Sequence, residues 1–76
     1  MIEKILGILE SKTNSFLVVM VGGMGLKINI SQNCKESLPE LGSKINLLTY
    51  LHVKEDILDL YGFKDENERL IFLLLI

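Results

Sequence analysis

The 76-residue sequence has very few of the residues that usually mark a disulfide framework or a metal site. It contains one cysteine, one histidine, one proline and no tryptophan. Because Cys34 has no partner within the chain, an internal disulfide is excluded. Since no basic-then-apolar leader begins the sequence, we expect a reducing, cytoplasmic compartment. His52 and Cys34 are not grouped with acids at ligand spacing, so the sequence predicts no metal and no cofactor.

The sequence also lacks an excess of positive charge and a long apolar run. Eight basic and ten acidic residues give a formal net charge of −2, which does not favour nucleic-acid binding by charge alone. The longest apolar run, LIFLLLI at residues 70–76, is much shorter than the about 20 residues that cross a bilayer, so no membrane partner is predicted. Because a chain rarely stops within such an apolar segment, we expect it to belong to a longer protein.

Apolar residues, by contrast, are abundant for so short a chain. Hydrophobic residues make up 49% of it, and the mean hydropathy is +0.37. A single domain of this length has a core that is only marginally able to stabilise a fold, and much of its surface stays in water. We therefore expect some of the apolar surface to meet other protein, which predicts an oligomer.

Alternating apolar and polar residues, interrupted by turn formers, predict five strands. VGGMG at residues 21–25 lacks the lysine and hydroxyl of a phosphate loop and is expected to be a bend between strands. A connection at residues 31–44 contains the only proline and has room for a short helical turn. This order matches a mostly β, five-stranded OB-fold Greek-key barrel, with an SH3-like barrel as the alternative. The predicted strands cover residues 2–10, 16–23, 26–30, 44–53 and 57–63.

A helix is predicted after the last strand. Asp65 is a suitable N-cap, and Glu68 follows three residues later as in a capping box. The chain therefore divides into a barrel domain, residues 1–64, and the start of a C-terminal helix, residues 65–76. The apolar residues that recur at helical spacing are Leu70, Ile71, Leu74 and Leu75.

Two adjacent acids, Glu55 and Asp56, interrupt the strand-like run HVKEDILDLYGF. Between the fourth and fifth strands they fall at a hairpin tip, where charged groups avoid the cost of desolvation. Adjacent acids can hold Mg²⁺ or act as an acid and base pair, but a turn tip has no enclosing pocket to tune them. The plain alternative is a solubilising tip. Lys54, beside the acids, can pair with either of them or contact a phosphate.

The order of these motifs along the whole chain resembles the N-terminal domain of the RuvA family, bacterial subunits that recognise Holliday junctions. LYGF at residues 60–63, directly after an acidic hairpin, is the most specific element. The other shared features are the MI start, Gly7 in the first strand, the VGGMG turn, Leu38, Pro39 and Gly42 in the connection, the KED tip, and Glu68 and Arg69 at the helix start.

The resemblance implies an OB-fold domain that forms the four-fold core of a homotetramer, onto whose concave face an open four-way DNA junction docks. By position, Glu55 and Asp56 would be an acidic pin at the centre of the junction, and Lys54 a phosphate neighbour. The resemblance also implies a non-catalytic subunit that serves recombination and DNA repair with the motor ATPase RuvB. The grip on DNA would come from helix-hairpin-helix motifs in a second domain, to which residues 65–76 lead, and the contact with RuvB from a third domain.

Other functions stay open at the level of the residues. A generic OB-fold that binds single strands needs aromatic and basic residues on its open face, whereas this chain has three Phe, two Tyr, no Trp and a negative charge. A plain oligomerisation domain would use the acidic tip only for solubility. A metal-dependent nuclease would need the tip acids to hold Mg²⁺.

Overall fold

The computed structural model describes residues 2–76, so Met1, with which the resemblance begins, lies outside the described residues. The described range forms five strands and two helices, which confirms the predicted elements. The strands are β1 (Lys4–Lys12), β2 (Phe16–Val21), β3 (Met24–Ile30), β4 (Lys44–Lys54) and β5 (Ile57–Phe63), and the helices are α1 (Gln32–Glu36) and α2 (Glu66–Leu75). The bounds of β5 agree with the prediction, whereas those of the other strands differ by one to a few residues.

β1 begins and ends two residues later than predicted. At its start, Thr49 of β4 binds the two preceding residues: its hydroxyl donates to the Ile2 carbonyl at 2.9 Å, and its backbone N–H donates to the Glu3 carbonyl at 2.9 Å. At its end, a β-bulge after Leu9 lets the strand continue to pair with β2 as far as Lys12. Neither the side-chain bond nor the bulge has a local sequence signature.

The predicted glycine bend is a two-residue hairpin turn, formed by Gly22 and Gly23 between β2 and β3. Gly22 has a φ of 62°, which a type II′ hairpin turn needs at its first central residue and which glycine adopts without a steric penalty. Met24 and Gly25, predicted as part of the bend, instead pair with β2 as the start of β3. The bend is therefore shorter than the predicted bend over residues 21–25.

The strands close into a barrel in the order β1-β2-β3-β5-β4. This order confirms the OB-fold prediction over the SH3-like alternative. Closure depends on a short parallel pairing of β3 with β5, at Asn29 with Tyr61 and at Ile30 with Gly62. The Asn29 side chain reinforces it, since its Nδ2 donates to the Leu60 carbonyl at 3.2 Å. Because only the end of β5 pairs with β3, the rest of β5 can extend out of the barrel with β4.

Inward-facing residues from all five strands form the core, and α1 adds the fully buried Cys34 to it. Burial raises the pKa of the Cys34 thiol to about 11, with the Glu68 carboxylate adding to the rise and Lys64 opposing it. The thiol therefore stays protonated and acts as a small apolar core group. The other core residues are Ile5, Leu9, Leu17, Val19, Ile28, Ile45, Leu47 and Leu60.

α2 begins where the sequence predicts, at the N-cap Asp65. The Asp65 carboxylate accepts from the Glu68 backbone N–H at 2.9 Å, which satisfies one of the free donors of the first turn. The Glu68 carboxylate in turn accepts from the Lys64 backbone N–H at 3.1 Å and from the Ser31 hydroxyl at 2.8 Å. These bonds tie the start of α2 to the loop before α1.

The face that α2 presents to the barrel differs from the predicted apolar stripe. Phe72 packs on the barrel, with its ring centroid 4.9 Å from that of Tyr61 and 5.2 Å from that of Phe63. The four stripe residues are exposed, from 49% for Leu70 to 85% for Leu74. Helical spacing shows which residues share a face of the helix, but it does not show what that face packs against. Within residues 2–76, neither helix is long and apolar enough to span a bilayer.

Candidate nucleic-acid interface

The β4–β5 hairpin contains the longest strand of the fold, β4. Its strands pair without interruption up to Lys54 with Ile57, so that the turn consists of Glu55 and Asp56 alone. The predicted tip is confirmed, except that Lys54 is the last strand residue and not part of the turn. Every residue from 53 to 58 is exposed. The hairpin therefore projects from the barrel, and its ladder of hydrogen bonds holds the tip in place.

The burial of one face of the hairpin shows how far it projects. Leu51 and Leu60 pair across the hairpin, and both belong to the core or pack against it. The next pair on the same face, Val53 with Leu58, is 62% and 69% exposed. The core-facing side of the hairpin thus continues past the end of the barrel. Exposed apolar residues beside a charged tip are typical of a surface that contacts another molecule.

Glu55 and Asp56 present two negative charges to solvent. All ion pairs that the structure shows among residues 2–76 involve Arg69, so neither tip acid takes part in one. In the same range, no three His, Cys, Asp or Glu side chains are grouped to hold a metal ion. Lys54 is also exposed and unpaired in that range, one position before the acids. The tip is therefore suited to repel anions and offers no enclosed site for proton transfer.

His52 and Cys34, the other residues weighed as metal ligands, lie apart in the structure. The His52 ring is on the outer side of the hairpin, with its centroid 6.1 Å from that of Tyr50 and 6.4 Å from that of Tyr61. Cys34 is fully buried in the core. The structure therefore brings together Lys54 and the two tip acids, but not these two residues.

Arg69 is the residue whose role the sequence did not reveal. Its side chain is 11% exposed, and its Nη2 lies 2.6 Å from Glu3 Oε2 and 2.5 Å from Glu66 Oε2. Its Nη1 donates to the carbonyls of Glu3 at 3.1 Å and of Thr49 at 3.3 Å. The bond to the Glu3 side chain raises the pKa of the Arg69 guanidinium above its ordinary value. The Arg69 guanidinium thus joins α2 to Glu3, before β1, and to Thr49 of β4. The only signal of this role in the sequence is a single arginine near the start of an apolar helix.

A closed barrel of five strands, from which a continuously paired hairpin projects, defines a small domain of the OB-fold class. The family model described as RuvA N terminal domain matches residues 1–62. The chain belongs to the RuvA N-terminal domain family.

Curated relatives are similar over nearly the whole chain. The Holliday junction branch migration complex subunit RuvA of Chloroherpeton thalassium is 45% identical over 76 residues, which is 100% of this chain and 38% of that protein. The protein of the same name from Marinomonas sp. is 45% identical over 76 residues, with the same shares. That from Natranaerobius thermophilus is 44% identical over 72 residues, 95% of this chain and 34% of that protein. The chain thus spans well under half the length of these relatives, which are named as subunits of a complex.

Proposed function

We propose that this chain is the junction-docking domain of a Holliday junction DNA-binding subunit, with Glu55 and Asp56 as an acidic pin at the crossover. The observation that carries the proposal is the continuously paired, projecting hairpin in a chain of this family, whose two exposed tip acids form no ion pair among residues 2–76. The relatives are named as subunits of a Holliday junction branch migration complex, which supports the four-way junction as the DNA substrate.

The pin is proposed to act on the geometry of the junction and not on affinity. A carboxylate repels a phosphate by about 1 kcal/mol per close pair in water and by several in a drier site. In a homotetramer with its four-fold axis at the tips, these charges would meet at the centre of an open junction and keep the backbone out. The crossover would stay open, which favours strand separation. Lys54 would contact a phosphate beside the pin and help to position the strand.

The other parts of the proposed assembly lie outside this chain. Residues 65–76 would lead to a second, helix-hairpin-helix domain, whose backbone amides grip phosphates as a helix N-terminus does. A further domain would contact RuvB, the ATP-driven motor, while this subunit has no catalytic role. The chain covers 38% of its Chloroherpeton thalassium relative, which leaves room for both domains in that protein. The assembly would serve recombination and DNA repair in the cytoplasm.

Single-strand binding is less well supported than junction docking. Sequence-tolerant binding of single strands needs free aromatic faces on which bases stack. Phe63 is buried, and Phe72 packs against Tyr50 and Tyr61, with ring centroids 6.0 and 4.9 Å away. These aromatic residues are therefore used to hold α2 on the barrel.

The test neutralises the tip in a protein that has all its domains. Residues 1–76 replace the matching part of the Chloroherpeton thalassium RuvA, and the chimera carries Glu55→Gln with Asp56→Asn. Junction affinity is measured by gel shift, and branch migration is measured with the motor present. We expect junction affinity to be kept or to rise by up to about tenfold, because about 1.4 kcal/mol of repulsion corresponds to that factor. The migration rate should change.

A matched variant controls for the loss of charge. Glu10→Gln removes one negative charge from an exposed position outside the hairpin, and compared with the single variants Glu55→Gln and Asp56→Asn it should alter neither readout. If junction binding disappears in the tip variant, the acids are not a repulsive pin. If both rate and affinity stay unchanged, the tip serves only solubility.

A further inference from the structure

A cleft with positive charge lies at the opposite end of β4 from the acidic tip. Lys44, at the start of that strand, and Lys64, directly after β5, line the same cleft of about 340 Å³. Its other walls include the buried Ile45 and Leu47 and the exposed Asn46. A space of this size can take a group as large as one nucleotide.

Among residues 2–76, the lining of the cleft holds positive charge without a carboxylate to balance it. Its lining includes two lysines and no carboxylate, although the protein as a whole has a net charge of −2. Neither ammonium group forms an ion pair with a residue between 2 and 76. Lys64 also lines the neighbouring groove beside α2, together with Asp65 and Glu68. Both carboxylates accept other hydrogen bonds there, Glu68 from the Ser31 hydroxyl and the Lys64 backbone N–H, and Asp65 from the Glu68 backbone N–H. Two like charges that share a cleft are stabilised when an anion binds between them.

The chemistry of the cleft suits a phosphodiester. Lysine ammonium groups and an asparagine amide are donors that commonly contact phosphate oxygens in protein–DNA complexes. The half-buried Leu38 and Pro39, which also line the cleft, give it an apolar wall that suits the sugar next to the phosphate. No aromatic residue lines the cleft, so it offers no surface on which an unpaired base stacks. These features favour the backbone of a duplex over a single strand.

We propose that Lys44 and Lys64 bind the phosphate backbone of duplex DNA and supply part of the affinity that the acidic tip cannot provide. That the duplex is an arm of a four-way junction rests on the proposed function. β4 spans Lys44–Lys54, which at about 3.3 Å per residue places Lys44 at most about 36 Å from Glu55 at the tip. At about 3.4 Å per base pair, the contacted phosphate would lie within about 11 base pairs of the crossover.

The first test uses this chain with a duplex of about one helical turn. Backbone amide shifts and the dissociation constant are measured by NMR at several salt concentrations, for the wild type and for Lys44→Gln with Lys64→Gln. We expect shifts at residues 44–46 and 64 in the wild type. In the variant, the slope of log K against log salt should fall by about 1 to 2, because each lost phosphate contact contributes about 0.9.

The matched control is Lys4→Gln with Lys27→Gln, which removes the same charge from exposed positions outside the cleft. The proposal requires the control to keep most of the wild-type slope of log K against log salt. An equal loss in both variants, or shifts that avoid the cleft, would overturn it. A poly-glutamate peptide is added as a competitor: if it displaces the duplex at equal charge concentration, the cleft is a general anion site and the proposal is wrong.

A second test separates this inference from the proposed function. In the chimera, the cleft variant should bind junctions with long arms at least about fivefold more weakly, as expected when two phosphate contacts are lost. It should bind junctions with arms of a few base pairs equally well. An equal loss of affinity for junctions with long and with short arms would refute the proposed phosphate site. If the unsubstituted chimera does not prefer junctions to duplexes, the proposed junction-docking function is wrong. The proposed phosphate site in the cleft is still tested by the duplex measurements on this chain.

Discussion

Two glycines of the barrel occupy positions that leave no space for a side chain. A Cβ at Gly7 would lie 2.5 Å from the Met20 carbonyl oxygen, and one at Gly62 would lie 2.7 Å from Ile28 Cγ2. Both distances are shorter than any normal contact between such atoms, so the neighbours would have to move. A glycine within a strand often marks such a close approach, and here it explains the glycine of LYGF without reference to DNA.

Gly62→Ala should therefore destabilise the domain. The added methyl group would also lie 3.3 Å from Leu47 Cδ1, so it would overpack the core on two sides. Overpacking typically costs about 1–3 kcal/mol, which urea unfolding would measure. Gly23→Ala is the control, because nothing lies within 4 Å of its Cβ position, and its effect should stay within about 0.5 kcal/mol. Equal effects of the two substitutions would contradict the packing argument.

The buried thiol of Cys34 predicts a pH dependence of stability. Its pKa rises from the ordinary 9.0 to about 11 in the folded protein, so folding favours the protonated thiol. The stability that this provides is complete below pH 9 and is lost as the pH rises through 11. Relative to Cys34→Ala, the wild type should lose about 3 kcal/mol of unfolding free energy over this range. Parallel profiles of the two proteins, measured by urea unfolding, would refute the burial of the thiol.

Among the elements, α2 is attached to the barrel by few contacts. None of its residues is fully buried, and it touches the barrel chiefly through Arg69 and Phe72. Arg69 reaches the Glu3 side chain and the Thr49 carbonyl, which belong to parts of the chain distant in sequence. Arg69 therefore helps to set the direction of α2, together with the packing of Phe72 and the bond between Ser31 and Glu68.

Arg69→Met should release α2 while leaving the barrel folded. The substitution keeps an apolar stem that can pack beside Phe72 but removes the bonds to Glu3, Glu66 and Thr49. Amide hydrogen exchange measured by NMR should become faster at residues 66–75 and stay slow in the barrel strands. Lys12→Met serves as the control, because this exposed residue makes no ion pair within residues 2–76. Uniformly faster exchange would show that Arg69 stabilises the whole domain and does not merely orient α2.

For the whole molecule, the main feature is the amount of apolar surface that it exposes. Its accessible surface is 5114 Å², somewhat above the about 4,700 Å² expected for a monomer of this mass. The exposed apolar residues concentrate on α2 and on the β4–β5 hairpin, where Leu74 is 85% and Leu58 is 69% exposed. Surfaces of this kind usually meet other protein, in agreement with the oligomer expected from composition.

Self-association of this chain should accordingly depend on α2. We expect the mass measured by light scattering to rise with concentration for the wild type. It should stay near that of a monomer for Leu74→Gln with Leu75→Gln, because these side chains are 85% and 81% exposed and the change removes apolar surface. Leu41→Gln, at a 55% exposed loop position, is the control. A mass independent of concentration in all three proteins would exclude α2 as an association surface.

Much of this protein follows from the sequence alone, because the relevant interactions are local. Alternation along each strand, Gly22 at a turn that needs positive φ, and Asp65 as an N-cap depend on residues a few positions apart. The exposure of Glu55 and Asp56 follows in the same way, since a two-residue turn between long paired strands leaves no room for burial. The strands along the chain and the tip were therefore predictable, and the family resemblance depends on the same local motifs.

Only the tertiary structure decided how distant segments meet. The sequence could not show that Arg69 binds Glu3, since such bonds depend on packing between the two ends of the chain. It also could not show that Lys44 and Lys64 share a cleft, because that requires β4 and β5 to be paired and the barrel closed. For α2, periodicity identified the apolar residues, but the barrel determined that Phe72 faces inward. Local propensity specifies elements and turns, whereas contacts between elements arise only when the folded chain brings them together.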